Sequence, residues 1–551
     1  MRSVEQRVGL LFAAFLLLFS IVVVRAVWLQ GVRGGELAAD ARSQQTESVL
    51  VPGERGKILD RRGRELALSE EAATVFATPY QIDDPADAAA QLAPVLDMPA
   101  DEILDSISDR ASGFAYVARK VDLATAEHVR KLKIEGIGTL PDSRRVYPEG
   151  DLASQLIGAV GTDNQGLSGI ESMYEEVLGG TDGEAEVTRD ALGQTIKRET
   201  TTGASAGEDV KLTLDAELQS RTEDVLAQIG ETYDPAGATA IVMNPRSSQV
   251  LALANWPLVD LTDLSSASAD DLTNMATGFT YEPGSTFKAF TVAGALEEGV
   301  VTPDTVFDLP PTIQVADRVI EESHERGPIS LSVSDILAQS SNVGAVKIGL
   351  EVGGERFDHW IRRFGFGEPT GIELPGEEQG IVPALEDYSG STMGNLPIGQ
   401  GLAVTPMQMA AAYAAIANGG ILRPPQVVLQ AGGQPVAHEQ GTRIISEHTA
   451  IQLRRMLEGV LAPGGTASEV SVPGYRLGGK TGTAEKAVEG GYSESAFIAS
   501  FVGFAPVDDP SLLAVIVVDE PKGAYYGGEV AAPAFGDIAE FALPYLGIPP
   551  S

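Results

Sequence analysis

The sequence predicts an α+β fold with a mainly antiparallel sheet flanked by helices, and three observations lead there. Apolar runs on either side of Asn244–Ser248, in "ATAIVMNPRSSQVLALAN", form a hairpin signal. Far downstream, Phe497–Ala505 and Leu512–Val518 are joined across "PVDDP", a link so short that the two strands must pair antiparallel. Between these pairs the period is helical, as over Thr286–Glu298 and Pro406–Ala417, and strands at both ends with helices between are an α+β pattern. Val210, Leu212 and Leu214 alternate with Lys211, Thr213 and Asp215, which predicts a half-buried strand opening this part of the chain.

Composition narrows the function. A chain of 551 residues with 43% hydrophobic content can bury large cores. Its 39 Lys+Arg against 77 Asp+Glu leave a formal net charge of −38, a field that repels phosphates, so no nucleic acid is expected as a partner. With no cysteine there is no disulfide framework, thiolate metal site or cysteine nucleophile. The histidines His128, His324, His359, His438 and His448 never fall into H-E-x-x-H, so no metal site is expected.

Val8–Val24, "VGLLFAAFLLLFSIVVV", carries no charge, and extension to Leu29 reaches the length that spans about 30 Å of hydrocarbon. A cleaved signal would have a shorter apolar region and a small-x-small site after it, so an uncleaved anchor is expected, with Arg25 snorkelling and Trp28 at the interface. The positive-inside signal is weak, because Arg25 and Arg33 follow the span while Arg2 and Arg7 precede it. No second long apolar run returns the chain, and the bulk is expected outside the cytoplasm.

Residues 1–29 are thus read as a short tail and anchor. In 30–207, Ala38–Glu47 could continue as a helix, and "VPGERGKILDRRGREL" (Val51–Leu66) has the punctuation of a turn between short extended segments. Helices are expected over Pro85–Leu96, Leu123–Leu132 and, ended by glycine, Glu171–Leu178. The small, polar "ETTTGASAGED", Glu199–Asp209, reads as a linker, after which 208–551 forms the second large domain.

Three motifs mislead. Gly474, Gly479, Lys480 and Thr481 fit a phosphate loop, and the acidic strand ending at Asp519 and Glu520 lends it support. Such a loop, however, should follow a buried strand and open a long helix, whereas glycines at 490 and 491 follow soon after. Gly203, Ser205 and Gly207 match the esterase elbow but lack its strand and helix. His359 beside Asp358 is one adjacent acid, not a site.

Against these stands "YEPGSTFKAFTVAGALEEG". Pro283 and Gly284 form a turn, Ser285 begins a helix with Phe287, Phe290, Val292 and Leu296 as apolar positions, and Gly299 stops it. Lys288 falls on the same face as Ser285. A serine attacks at neutral pH only with a base, and a lysine serves only if its pKa falls far below about 10.4 by desolvation or a second cation. Ser340, Ser341 and Asn342 then interrupt two helical stretches, an arrangement that also suits helix capping. Lys480, Thr481, Gly482 and Thr483 lie on an extended segment, where Lys480 would be the second cation and Gly482 would leave room for a peptide along the strand edge.

In this order the motifs Ser285-Thr286-Phe287-Lys288, Ser340-Ser341-Asn342 and Lys480-Thr481-Gly482-Thr483 resemble those of the class B penicillin-binding proteins, serine D,D-transpeptidases of bacterial cell-wall synthesis. "RGKILDRRG", "GIE" at Gly169–Glu171 and "AYYGGEVAAPAFGDI" are similar too, the last to the cell-division type rather than the elongation type. The resemblance implies a penicillin-binding transpeptidase domain behind an elongated pedestal of the dimerisation type and one transmembrane helix. It implies that Ser285 attacks the D-alanyl-D-alanine bond of a peptidoglycan stem peptide, forming an acyl-enzyme that an amine of a neighbouring stem resolves. Lys288 would take the serine proton, Ser340 relay one to the leaving amine, Asn342 orient Lys288 and substrate, and Lys480 balance the charge. Thr481 and Thr483 would bind the substrate carboxylate, and the N–H groups of Ser285 and Thr483 would form the oxyanion hole. β-Lactams would acylate Ser285, with no cofactor. The expected partners are a membrane polymerase of the shape, elongation, division and sporulation family and other division proteins, at the cytoplasmic (inner) membrane. Ser341, where many β-lactamases carry aspartate, fits the class B enzymes and speaks against a lactamase; the nearest enzyme rival is a β-lactam sensor or lactamase.

Overall fold

The computed structural model describes residues 2–33, 35, 46–51, 53–189, 195–265, 267–488 and 491–551. They fall into two compact units, one of residues 1–54, 70–144 and 180–207, the other of 55–69, 145–179 and 208–551.

The first unit begins with the helix Arg2–Val27, continued by a π-helical turn over Trp28–Val32. An 18-residue window within Val4–Gly31 has a mean hydropathy of 2.7, and the segment is long and apolar enough to cross a membrane. Of the helical continuation expected over Ala38–Glu47, residues 38–45 lie outside those described, and Thr46 opens the strand Thr46–Val51. That strand pairs antiparallel with Gly183–Arg189, which pairs in turn with Thr195–Thr202. The expected linker over Glu199–Asp209 is therefore strand at its start: three β-branched threonines favour extended backbone once a partner strand is available. Ser205 sits past that strand with its backbone paired to Thr181, and no helix follows it as a nucleophile elbow requires. The helices Pro85–Leu96 and Leu123–Leu132 begin where Asp84 and Asp122 cap them, and they close over a core of Val75, Leu92, Ile103 and Val129.

The second unit is built on a five-stranded antiparallel sheet in the order Gln249–Trp256, Gly237–Asn244, Leu512–Asp519, Gly491–Ala505, Gly478–Val488. Its strands are apolar on both sides because both faces are covered. Ala240, Val242, Ile516 and Val518 pack with the helices Ala216–Tyr233 and Gly527–Tyr545. On the opposite face, Ile241, Met243, Val515 and Val517 share a core with Phe287, Phe290 and the helix Pro406–Ala417. The expected helix over Glu171–Leu178 is two short pieces, Gly169–Met173 and Glu175–Leu178. Glu171 there is fully buried, and its carboxylate accepts from the Nε atoms of both Arg55 and Arg145, so "RGKI" and "GIE" meet in one buried ionic cluster.

Candidate active site

Gly284–Phe287 is a 3₁₀ turn feeding the helix Lys288–Glu297, where the helical period predicted one continuous helix from Thr286. In a 3₁₀ turn, side chains three apart eclipse, so Ser285 and Lys288 share one side of it. Gly284 starts the turn at φ +53°, and a Cβ there would stand 3.1 Å from the carbonyl oxygen of Thr483. The nucleophile turn is thereby pressed against the edge strand Gly478–Val488. Tyr413, fully buried, donates to the carbonyl of Thr286 at 2.6 Å, and Thr291 Oγ1 donates to that of Pro397 at 2.8 Å.

The second motif sits between the helices Val333–Ala338 and Asn342–Val352. Ser341 caps the second, accepting from Gly344 N at 3.0 Å, which is the capping role its residue type allows. Ser340 holds φ at +60°, a left-handed conformation costly for a residue with a Cβ. That twist turns both its carbonyl and its hydroxyl toward the lysines.

Lys288 Nζ donates to the Ser340 carbonyl at 2.6 Å, to Asn342 Oδ1 at 2.7 Å and to Ser340 Oγ at 3.3 Å. Lys480 Nζ donates to the same hydroxyl at 2.9 Å and to the Thr481 carbonyl at 3.1 Å. Both lysines are buried. Burial pushes Lys288 down to about 7, opposed by the negative charge of Glu322. Lys480 falls well below the ordinary lysine range, first by burial and then by repulsion from Lys288. Of the two causes expected to lower a lysine here, desolvation is the larger for both, and the two cations stand close enough that their repulsion adds to the lowering of Lys480.

The third motif alternates as a strand must. Thr481 and Thr483 use their hydroxyls within the protein, Thr481 with Thr466 at 2.7 Å and Thr483 accepting from Gly527 N at 3.0 Å. A Cβ at Gly482 would lie 2.4 Å from Ser500 Oγ, 2.9 Å from Thr286 Cγ2 and 3.0 Å from the Pro283 carbonyl. Glycine there admits the nucleophile turn, where the sequence reading assigned the room to a peptide. Lys480 lies in a strand, so the phosphate-loop geometry, which needs a helix after it, is absent. His359 is exposed on the helix Gly354–Arg363, and Asp358 bonds Arg362 and Tyr388.

The structure therefore gathers Lys288, Ser340, Asn342 and Lys480 into one hydrogen-bonded group, with Ser285 one turn before Lys288. The sequence reading missed Glu322, whose carboxylate accepts from Ser341 Oγ at 2.6 Å and Asn342 N at 2.7 Å. It also missed Thr466. No spacing marks either residue; only a fold joins them to the motifs.

Residues 238–540 match the family described as penicillin binding protein transpeptidase domain, and residues 50–212 the one described as penicillin-binding protein dimerisation domain. The chain is 37% identical over 560 residues to Stage V sporulation protein D of Bacillus subtilis, covering 97% of this chain and 86% of that protein. It is 32% identical over 554 residues to the peptidoglycan D,D-transpeptidase FtsI of Escherichia coli, covering 99% of this chain and 93% of that one. Among solved structures, penicillin binding protein 3 of Mycobacterium tuberculosis, complexed with aztreonam, superposes with a TM-score of 0.70 at 29% identity, covering 91% of this chain and 98% of the other.

Proposed function

The chain belongs to the class B penicillin-binding proteins, peptidoglycan D,D-transpeptidases that bind β-lactams, and we propose that its reaction runs through an acyl-enzyme on Ser285. The observation that carries this reading is the convergence of two buried lysines on the one hydroxyl of Ser340. A lysine held near 7 has an appreciable neutral fraction at physiological pH and can accept the Ser285 proton. The serine oxygen attacks the carbonyl of the D-alanyl-D-alanine bond, and the tetrahedral oxyanion is received by the N–H groups of Ser285 and Thr483, a donor being worth roughly 3 to 4 kcal/mol. Lys288 returns its proton through Ser340 to the departing D-alanine amine. Lys480 supplies Ser340 with a second donor, Asn342 holds Lys288, and Thr481 and Thr483 exchange their internal partners for the substrate carboxylate. The acceptor amine of a neighbouring stem peptide reverses these transfers and completes the cross-link.

The wider reading has three parts. Residues 1–29 anchor the chain in the cytoplasmic membrane, 30–207 form the pedestal and 208–551 the catalytic domain, outside the cytoplasm. The similarity of the C-terminal segment to the division type supports a role in septal wall synthesis. A membrane polymerase of the shape, elongation, division and sporulation family is the expected partner, met through anchor and pedestal. Fluorescent-penicillin labelling of the purified full chain tests the acyl-enzyme: label on the wild type and none on Ser285→Ala is expected, and equal labelling of both refutes it. Mass spectrometry then separates a transpeptidase, which keeps the penicilloyl group, from a lactamase, which sheds it.

A further inference from the structure

Glu322 follows the hairpin Thr312–Val315 and Arg318–Glu321, twenty residues before the motif it touches. Besides Ser341 Oγ and Asn342 N, its carboxylate accepts from Val343 N at 3.3 Å and is ion-paired with Arg326. These donors form the first turn of the helix Asn342–Val352, whose exposed N–H groups and dipole favour an anion. The neighbouring Glu321 carbonyl accepts from Asn342 Nδ2 at 2.8 Å, so the other end of that amide, Oδ1, faces Lys288. Immediately before this clamped turn stands Ser340 in its left-handed conformation. A strained residue keeps its orientation only while its surroundings over-determine it.

We propose that Glu322 is a positioning residue for acylation: paired with Arg326, it locks the turn at Ser341 and Asn342 so that Ser340 and Asn342 present their oxygens to Lys288, and it sets a negative charge against the ammonium form of that lysine. The inference rests on the transpeptidase reading above. The charged groups that face Lys288 are Glu322 from the segment after the hairpin and Lys480 from the edge strand, with Arg326 acting through Glu322. The helix Asn342–Val352 and Ser340 before it contribute neutral acceptors only.

The test is the acylation rate of the full chain by a fluorescent penicillin, from about pH 5 to about pH 9, with melting temperatures alongside. In Glu322→Gln the clamped donors lose one acceptor, and the plateau rate falls about tenfold. Its ascending limb moves down by about half to one pH unit, because the ammonium form loses its carboxylate. Arg326→Ala leaves the carboxylate unpaired and moves the limb up. Glu322→Asp keeps the charge and leaves the limb at its wild-type position. A merely structural role lowers the rate alike at every pH and moves no limb. Wild-type rate and midpoint in Glu322→Gln overturn the proposal, and so does a displacement in the same direction in Glu322→Gln and Arg326→Ala. If Glu322→Gln does not fold, an unmoved limb in Arg326→Ala overturns it. A wild type that takes no label defeats the transpeptidase reading itself, whereas label lost only in Ser285→Ala, with unmoved limbs, defeats this inference alone.

Discussion

Lys480 Nζ lies 2.9 Å from Ser340 Oγ although 140 residues separate them in sequence. The same hydroxyl is 3.3 Å from Lys288 Nζ, so Ser340 Oγ is where the lysines of the first and third motifs meet. Removing the hydroxyl leaves Lys288 its bonds to the Ser340 carbonyl and Asn342, so the fold survives while the proton path is cut. Ser340→Ala is expected to slow acylation by about a hundredfold, the scale of one general acid–base contribution, with a modest fall in melting temperature because buried Lys480 keeps the Thr481 carbonyl but loses this acceptor. Stopped-flow labelling with a fluorescent penicillin checks the rate, and thermal unfolding checks the stability.

Acylation should depend on pH through Lys288. Its ammonium is no base, so the rate is low below about 7 and rises as the pH passes that value. Stability follows the same protons with a definite sign. Between the folded value of about 7 and the ordinary 10.5, the unfolded chain binds a proton at Lys288 that the folded chain does not, so unfolding free energy contributed by this group rises with pH across that window. Lys480, also depressed by burial, acts in the same direction. A rate profile flat across neutrality, measured with the wild type, would remove Lys288 as the base.

The parts of this design legible in the sequence are those written in local chemistry. Pro406–Ala417 could be bounded to the residue because Pro406 opens it and Thr405 caps it with Gln408 in a capping box. Asp84 and Asp122 did the same for two helices of the first unit. The three motifs were legible through their resemblance to the family's motif order, since residue chemistry alone left Ser340–Asn342 open to a helix-capping role. Glu322 was not, since a glutamate after a short hairpin looks like any surface acid until the fold folds it onto the turn at Asn342. Gly482 was legible only in part: a strand glycine announces a close approach without naming the neighbour, and Ser500 and the nucleophile turn at Thr286 stand within reach of a Cβ there.

That neighbour makes Gly482→Ala a sharp probe. The added methyl meets Thr286 and the Pro283 carbonyl, which belong to the buried nucleophile turn, and Ser500 on the adjacent strand. None of the three can swing away as a long flexible side chain would, so strand and turn must part. Overpacking of this kind costs about 1–3 kcal/mol, and acylation should fall by more than about tenfold because Ser285 moves relative to Thr483. Denaturant unfolding and penicillin labelling measure the two losses. An alanine variant with wild-type labelling would mean that the strand does not position the nucleophile.

Tyr413→Phe separates support from chemistry. The hydroxyl donates to the Thr286 carbonyl deep in the core and touches no group of the lysine network. Its loss leaves a buried carbonyl without that donor and should destabilise the protein by about 1–3 kcal/mol. The ascending limb of the acylation profile should stay where it is, because no charge near Lys288 changes. A displaced limb would show that the core beneath Ser285 acts on the titration of the site.

Glu171 offers the largest stability effect. Its side chain is fully buried between Arg55 and Arg145, themselves almost wholly shielded, and those guanidiniums also hold the carbonyls of Asn164 and Gly56. Burial lowers the pKa of Arg145, with Glu171 opposing the shift, as expected of a cation that depends on one carboxylate. Glu171→Gln keeps the shape but removes the charge, leaving two buried cations facing each other with Glu175 as the remaining acid beside Arg55. Breaking a buried pair from one side costs about 3–5 kcal/mol. The loss should appear in thermal unfolding at every pH at which the arginines remain charged. Exchanging all three residues for apolar ones of matching volume should restore part of it, because desolvation of the charges then no longer opposes folding while the carbonyls of Gly56 and Glu171 lose their donors. If Glu171→Gln alone unfolds at the wild-type temperature, the cluster is solvated in solution and does not hold "RGKI" to "GIE".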